Sequence, residues 1–249
     1  MTSSGQTAAV AGRERWYLTG AGVIGVSVVL MGVAALENGV APWSPFYVLY
    51  AGLATALPFA WKRAPFGPLR AVRWWQWLLC PVIAVALQAV AGLVLLVAYP
   101  AALSALGVTA ERAASAAFDY GEMFRAMVAV AGERLGQDAG RARSLYIGFL
   151  ILWAGLGEEV FYRGYVQGTL RRRIGAGAAI AVASVLFAVR HYTQMGLLWP
   201  DYPWPAATAW VAMGLFVGAA LGLLYEKTRS LWMPVAVHYL FNIVPYLAG

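Results

Sequence analysis

Charge is scarce in this chain: 12% of its 249 residues are Asp, Glu, Lys or Arg, about half the share usual in soluble globular domains. Apolar residues make up 61% and gather in long runs. A soluble enzyme with a large core is excluded in favour of a polytopic membrane protein. Cysteine is nearly missing, and Cys80 lies alone in the apolar run 78–82. That excludes an intramolecular disulfide and any cysteine-based metal cluster, leaving a small buried hydrophobe as the expected role. Histidine occurs twice, as His191 and His238, and no His-Glu-x-x-His zinc motif is present. Internal repeats, low-complexity segments and a basic patch on a polar domain are also missing. The net charge of +7 therefore reads as membrane topology rather than nucleic-acid binding.

The apolar runs fall at about 17–36, 45–61, 75–99, 145–168, 174–192, 207–225 and 231–248. Each approaches or exceeds the ~20 residues of a spanning helix. The expected fold is an all-α polytopic transmembrane helical bundle of about seven spans, with six to eight as the range. The first run has no clear small-x-small cleavage site, so it reads as a retained anchor. Three parts are expected: a tail at 1–15, a membrane scaffold at 16–144 with an outer-face loop at 101–144, and a functional helical core at 145–249. Within the loop, 122–135 has apolar residues at helical spacing and reads as a surface helix. Eleven of the eighteen Lys and Arg fall in one set of connections and five in the long loop, while Arg163 and Arg190 lie inside spans. Positive charge marks cytoplasmic loops, placing the N-terminus inside the cell membrane and the long loop outside. Trp16, Trp43, Trp61, Trp74, Trp199 and Trp232 recur near the boundaries, as an interfacial aromatic belt does.

One stretch breaks the apolar pattern in an informative way. Residues 144–156 are uncharged and mostly apolar, and then Glu158, Glu159 and Arg163 follow. A lipid-facing charge at that depth costs roughly 2.5–3.5 kcal/mol even on the mildest scale. Glu159 and Arg163 are i and i+4 on a helix, and Glu158 points about 100° away. Arg163 is thus expected to neutralise Glu159 as a clamp and leave Glu158 facing a cavity. Phe187-x-x-x-His191 and His238-x-x-x-Asn242 put the remaining polar groups on later spans. At ~1.5 Å per residue, Glu158 lies about 20 Å from the basic run at Arg171, His191 about 24 Å into its span, and His238 and Asn242 about 13 and 20 Å into theirs. The three helices bring their polar residues to overlapping levels of a core ~30 Å thick.

Such a set suits hydrolysis. A carboxylate and an imidazole beside one water can take its proton, and a histidine and an asparagine on one helical face can donate to the oxyanion that develops. No serine or cysteine sits beside them as a nucleophile. The competing reading is a non-enzymatic protein, a transporter or an immunity or scaffold factor, whose polar cluster binds rather than cleaves.

The three patterns read GLGEEVFYRGYV, SVLFAVRHY and LWMPVAVHYLFN. In this order they resemble the CPBP intramembrane proteases, the family of CAAX-processing endopeptidases and bacteriocin-processing proteins, over roughly 145–245. The resemblance implies an endopeptidase acting on a membrane-associated protein or peptide, with Glu158 as general base and His191 as its partner on the water. It implies His238 and Asn242 as oxyanion donors and Glu159 and Arg163 as supporting residues. Glu158, His191 and His238 are also the candidate ligands of a divalent metal such as zinc, and metal-bound and metal-free routes both remain open at this level. Arg190 departs from the pattern, where an apolar or small residue is expected. It either contacts an acidic or carboxylate-ended substrate or snorkels outward. The topology yields a direct test: a cysteine introduced in 193–206 should react with an impermeant thiol reagent from the outer face of intact cells, and labelling only after permeabilisation would reverse the orientation.

Overall fold

The computed structural model describes residues 15–36, 45–63, 66–67, 69, 72–108, 153–193 and 204–247, with isolated positions between 129 and 148. The expected surface helix at 122–135 lies outside the described residues. Among the described residues every regular element is helical. After a short 3₁₀ turn at Trp16–Leu18 come α1 (Gly20–Ala35), α2 (Pro45–Ala60) and α3 (Trp74–Ala105). Then follow α4 (Ala154–Gln167), its continuation α5 (Gly168–Ile174), α6 (Ala176–Thr193), α7 (Trp204–Thr228) and α8 (Trp232–Leu247). Three stretches are long and apolar enough to cross a bilayer: Trp74–Ala105, Ala176–Thr193 and Ala207–Thr228. Gly20–Ala35 and Val48–Ala60 are shorter apolar helices.

Local chemistry explains the ends. Thr19 caps α1, its Oγ1 accepting from the Gly22 N–H at 2.9 Å. α3 outruns its expected end near residue 99 and passes Pro100 to reach Ala105. What stops it is Gly107, at φ +70, where the Gly107 and Val108 N–H groups donate back to Ser104 and Leu103 in a Schellman arrangement. The start of the expected outer loop is therefore helix. Gly175, at φ +81, ends α5 and lets the chain reverse into α6.

The basic end is tied together across elements. Arg171 donates from Nε to both Glu226 carboxylate oxygens at 2.9 Å, Arg229 adds a bond to Glu226 at 2.6 Å, and Arg173 donates to the Leu18 carbonyl. α5, α7 and the N-terminal turn are fixed to one another on that side.

Two apolar layers flank α4. One joins α1, α2 and α6 around Tyr50, Phe161, Tyr165 and Phe187, and the other joins α3, α7 and α8 around Cys80, Leu87, Leu221 and Val237. Cys80 is buried and free, as expected. The two layers are drawn close by small residues. A Cβ built on Gly218 would lie 3.2 Å from Ser184 and Phe187, one on Gly222 3.1 Å from Ile180, and one on Gly214 3.2 Å from Ala188. These glycines recur every four residues along α7 and meet residues spaced by four on α6. Gly214, Gly218 and Gly222 thus form one stripe of close approach along α7. Lipid tails are as apolar as side chains, so close backbone packing carries much of the association between spans. Gly218→Val should therefore lower the melting temperature in detergent, with a cost of about 1–3 kcal/mol for overpacking. Gly25→Ala, whose Cβ would meet nothing within 4 Å, should not.

Candidate active site

α4 is wound more widely than an α-helix. Its turns close on the residue five back, and at its end the Gly168 N–H donates to the Arg163 carbonyl. Such turns are rare and recur at functional sites. Two glycines let neighbours press against this segment. A Cβ on Gly157 would lie 2.6 Å from Thr55 Oγ1 of α2, and one on Gly155 would run into the Tyr239 ring of α8. More residues per turn means a smaller angle between neighbours than the ~100° of an α-helix. Glu158 and Glu159 consequently converge instead of parting.

Both carboxylates meet one imidazole. His238 of α8 donates from Nδ1 to Glu159 Oε1 at 2.8 Å, and its Nε2 faces Glu158 Oε2 at 3.8 Å. Arg163 also donates to Glu159 Oε1, at 2.8 Å, and sends its other terminal nitrogen to the Gly218 carbonyl of α7 at 3.0 Å. The expected clamp between Glu159 and Arg163 is there, and it is anchored on a third helix. Glu158 is not left unpaired. Arg190, from the last turn of α6, forms an ion pair with Glu158 Oε1. It neither snorkels nor reaches outward: it is 1% exposed, beside Glu158 at 2%, Glu159 at 0% and His238 at 4%. The result is an alternating row of charge and imidazole, Arg190–Glu158–His238–Glu159–Arg163, sealed inside the helix bundle.

Aromatic faces support both cations. The Arg163 guanidinium lies 4.7 Å from the Phe187 ring centroid and that of Arg190 5.2 Å from the Tyr50 ring centroid, within cation–π range. Tyr50 in turn shares a hydroxyl contact of 3.3 Å with Tyr162. No sequence signal singles out Tyr50: it is one of 13 tyrosines and lies far from the three motifs.

His191 flanks the row. Its Nδ1 lies 2.8 Å from the Phe187 carbonyl. A carbonyl can only accept, so Nδ1 carries the proton and Nε2 the lone pair. The Phe187 ring packs steeply against both imidazoles, at 4.6 Å from His191 and 6.1 Å from His238. The motif phenylalanine thus contacts both histidines, and its backbone sets the tautomer of one. Asn242 is half-buried, one turn beyond His238 on the same side of α8. Of the residues singled out from sequence, Glu158, Glu159, Arg163 and His238 come together directly, His191 stands next to them through Phe187, and Asn242 lies one turn on.

The donor set does not fit a divalent ion. Among the described residues no three His, Cys, Asp or Glu side chains gather as metal ligands. A guanidinium takes Glu158 Oε1 and His238 Nδ1 is held by Glu159. A dication shared by Glu158, His191 and His238 would sit against the Arg190 charge.

Residues 141–244 match the family model described as type II CAAX prenyl endopeptidase Rce1-like. No curated protein and no solved structure gives a match. The matched segment contains α4 to α7 and most of α8, and so every residue of the row described above, while α1 to α3 lie outside it. Residues 141–244 are accordingly similar to the Rce1-like type II CAAX prenyl endopeptidases, in agreement with the family that the three motifs resemble.

Proposed function

We propose that this protein is a multi-pass membrane endopeptidase, with its N-terminus in the cytoplasm, that cleaves a peptide bond of a membrane-associated protein or peptide using water activated by Glu158. One observation carries the reading. Two carboxylates of α4 and an imidazole of α8 meet in a buried layer, within the segment that matches the endopeptidase family.

With Nδ1–H donating to Glu159, the neutral His238 ring has its lone pair at Nε2, opposite an acceptor oxygen of Glu158. Two acceptors facing each other call for a donor between or beside them, and water supplies two. Glu158 takes one proton as the water oxygen attacks the carbonyl carbon. The lone pair on His191 Nε2 is assigned as a second acceptor for that water, as the motif resemblance implies. The proton then passes to the departing amine nitrogen as the C–N bond breaks, so no charge is left on either product within the apolar layer. Before that transfer the proton rests on His238 Nε2, received from Glu158 Oε2 opposite it, and the imidazolium so formed and the Asn242 amide donate to the oxyanion, where donors fixed in advance act strongly in a water-poor site.

The Arg190 charge on Glu158 favours water activation without a metal. Three outcomes follow for the purified protein with a cleavable membrane peptide. Glu158→Gln should lower kcat by roughly 10²–10⁴ as expected for loss of a general base, in a protein that still folds but melts lower because Arg190 loses its counter-ion. Asn242→Ala should lower kcat about 10²–10³ with little change in KM, as for loss of one oxyanion donor. Strong chelators should leave turnover unchanged. Retained turnover in Glu158→Gln would remove the assignment.

A further inference from the structure

We infer that Arg190 is a positioning residue for Glu158: it keeps the carboxylate charged and turns Oε2 toward His238. This rests on Glu158 being the base, and it concerns a residue that the three-motif pattern does not call for. The groups facing Glu158 are Arg190 from α6 and His238 from α8, with Glu159 and Arg163 on its own helix and the Tyr50 ring behind Arg190.

Three observations lead there. First, Arg190 is one of the largest side chains with almost no exposure, so its charge is spent inside the bundle. Second, its ion pair is made at Oε1. The two oxygens of one carboxylate are thereby divided, one toward a fixed cation and the other toward an imidazole nitrogen at 3.8 Å. Third, the row contains two carboxylates and two guanidinium groups, so with neutral imidazoles it carries no net charge. Removing one arginine leaves a buried carboxylate without a counter-ion, and such a group in a low-dielectric layer neutralises itself by taking a proton. A protonated Glu158 cannot accept a proton from water. Arg190 touches no reacting atom in this scheme; it acts through Glu158. The last turn of α6 is a favourable place for it, because the helix dipole stabilises a cation there. Its Nε has no hydrogen-bond partner among the described residues, so the guanidinium is held by Glu158 and the Tyr50 face rather than by a full set of bonds.

The test compares Arg190→Lys, Arg190→Met, Glu158→Gln and the double variant Glu158→Gln/Arg190→Met, each measured for kcat, KM and melting temperature in detergent. Arg190→Met should lose about a hundredfold in kcat, the low end of a general-base contribution, with KM nearly unchanged. Arg190→Lys, which restores a charge but not the fork, should recover part of that loss. The double variant buries no unpaired charge and should melt higher than Arg190→Met while remaining inactive. Wild-type kcat in Arg190→Met alongside an inactive Glu158→Gln would overturn this inference alone. So would a lysine variant no better than the methionine one, or a double variant that melts no higher than Arg190→Met. An active Glu158→Gln would instead overturn the reading of Glu158 on which it rests.

Discussion

A buried charge with no partner is not tolerated in a bilayer, and the row Arg190–Glu158–His238–Glu159–Arg163 is how this chain meets that constraint. Breaking one member of a buried ion pair costs about 3–5 kcal/mol, a large part of the stability of an ordinary domain. The row draws on three helices for its side chains, α4, α6 and α8, and on α7 for the Gly218 carbonyl that receives Arg163. None of these helices can shift far without exposing a charge to an apolar layer. The electrostatic row and the packing of the bundle are therefore one constraint, seen from two sides.

Small residues make the convergence geometrically possible. Arg163 and Gln167 donate to the carbonyls of Gly218 and Gly222, each at 3.0 Å. Those carbonyls belong to the α7 face on which α6 also packs closely. A bulky side chain at either glycine would push α6 away and carry Arg190 with it. A stripe that reads as mere helix packing thus sets the distance between Glu158 and its counter-ion. The phenylalanine of the second motif works in the same direction: its ring packs against both imidazoles and carries the Arg163 guanidinium on its face, while its carbonyl fixes the proton of His191.

Much of this arrangement is legible in the residues alone. The helices lie where apolar runs predict them, because a long run of apolar residues in a bilayer has few ways to satisfy its backbone other than as a helix. The Glu159–Arg163 clamp follows from i, i+4 spacing, and the meeting of α4 with α8 from counting depth along separate helices. Two features lie beyond that arithmetic. The wide winding of α4 is accompanied by close approach of Thr55 and Tyr239 to Gly157 and Gly155, contacts from distant parts of the chain that leave no local pattern. Ordinary α-helical geometry would part Glu158 from Glu159; the wider turn brings them to the same imidazole. The place of Arg190 is also illegible, since a helical wheel gives a direction but not what stands opposite. Its role depends on a tyrosine from α2 and a carboxylate from α4, neither of which is near it in the chain.

The two adjacent glutamates end up chemically unlike, and their arginines make the difference. Arg163 is on the same helix as Glu159, and it is tied as well to a backbone carbonyl and an aromatic face. Glu159 Oε1 takes both Arg163 and His238, so its electron density is committed to holding the site together. Arg190 comes from another helix, pairs with Glu158 at Oε1 and has an Nε without a partner among the described residues. Glu158 Oε2 lies 3.8 Å from His238 Nε2, whereas Glu159 Oε2 is buried without a hydrogen-bond partner among the described residues. The carboxylate bonded to both Arg163 and His238 is the support, and the one whose second oxygen faces an imidazole nitrogen is suited to accept a proton. An identical pair of residues is divided into two roles by what each counter-ion is itself attached to.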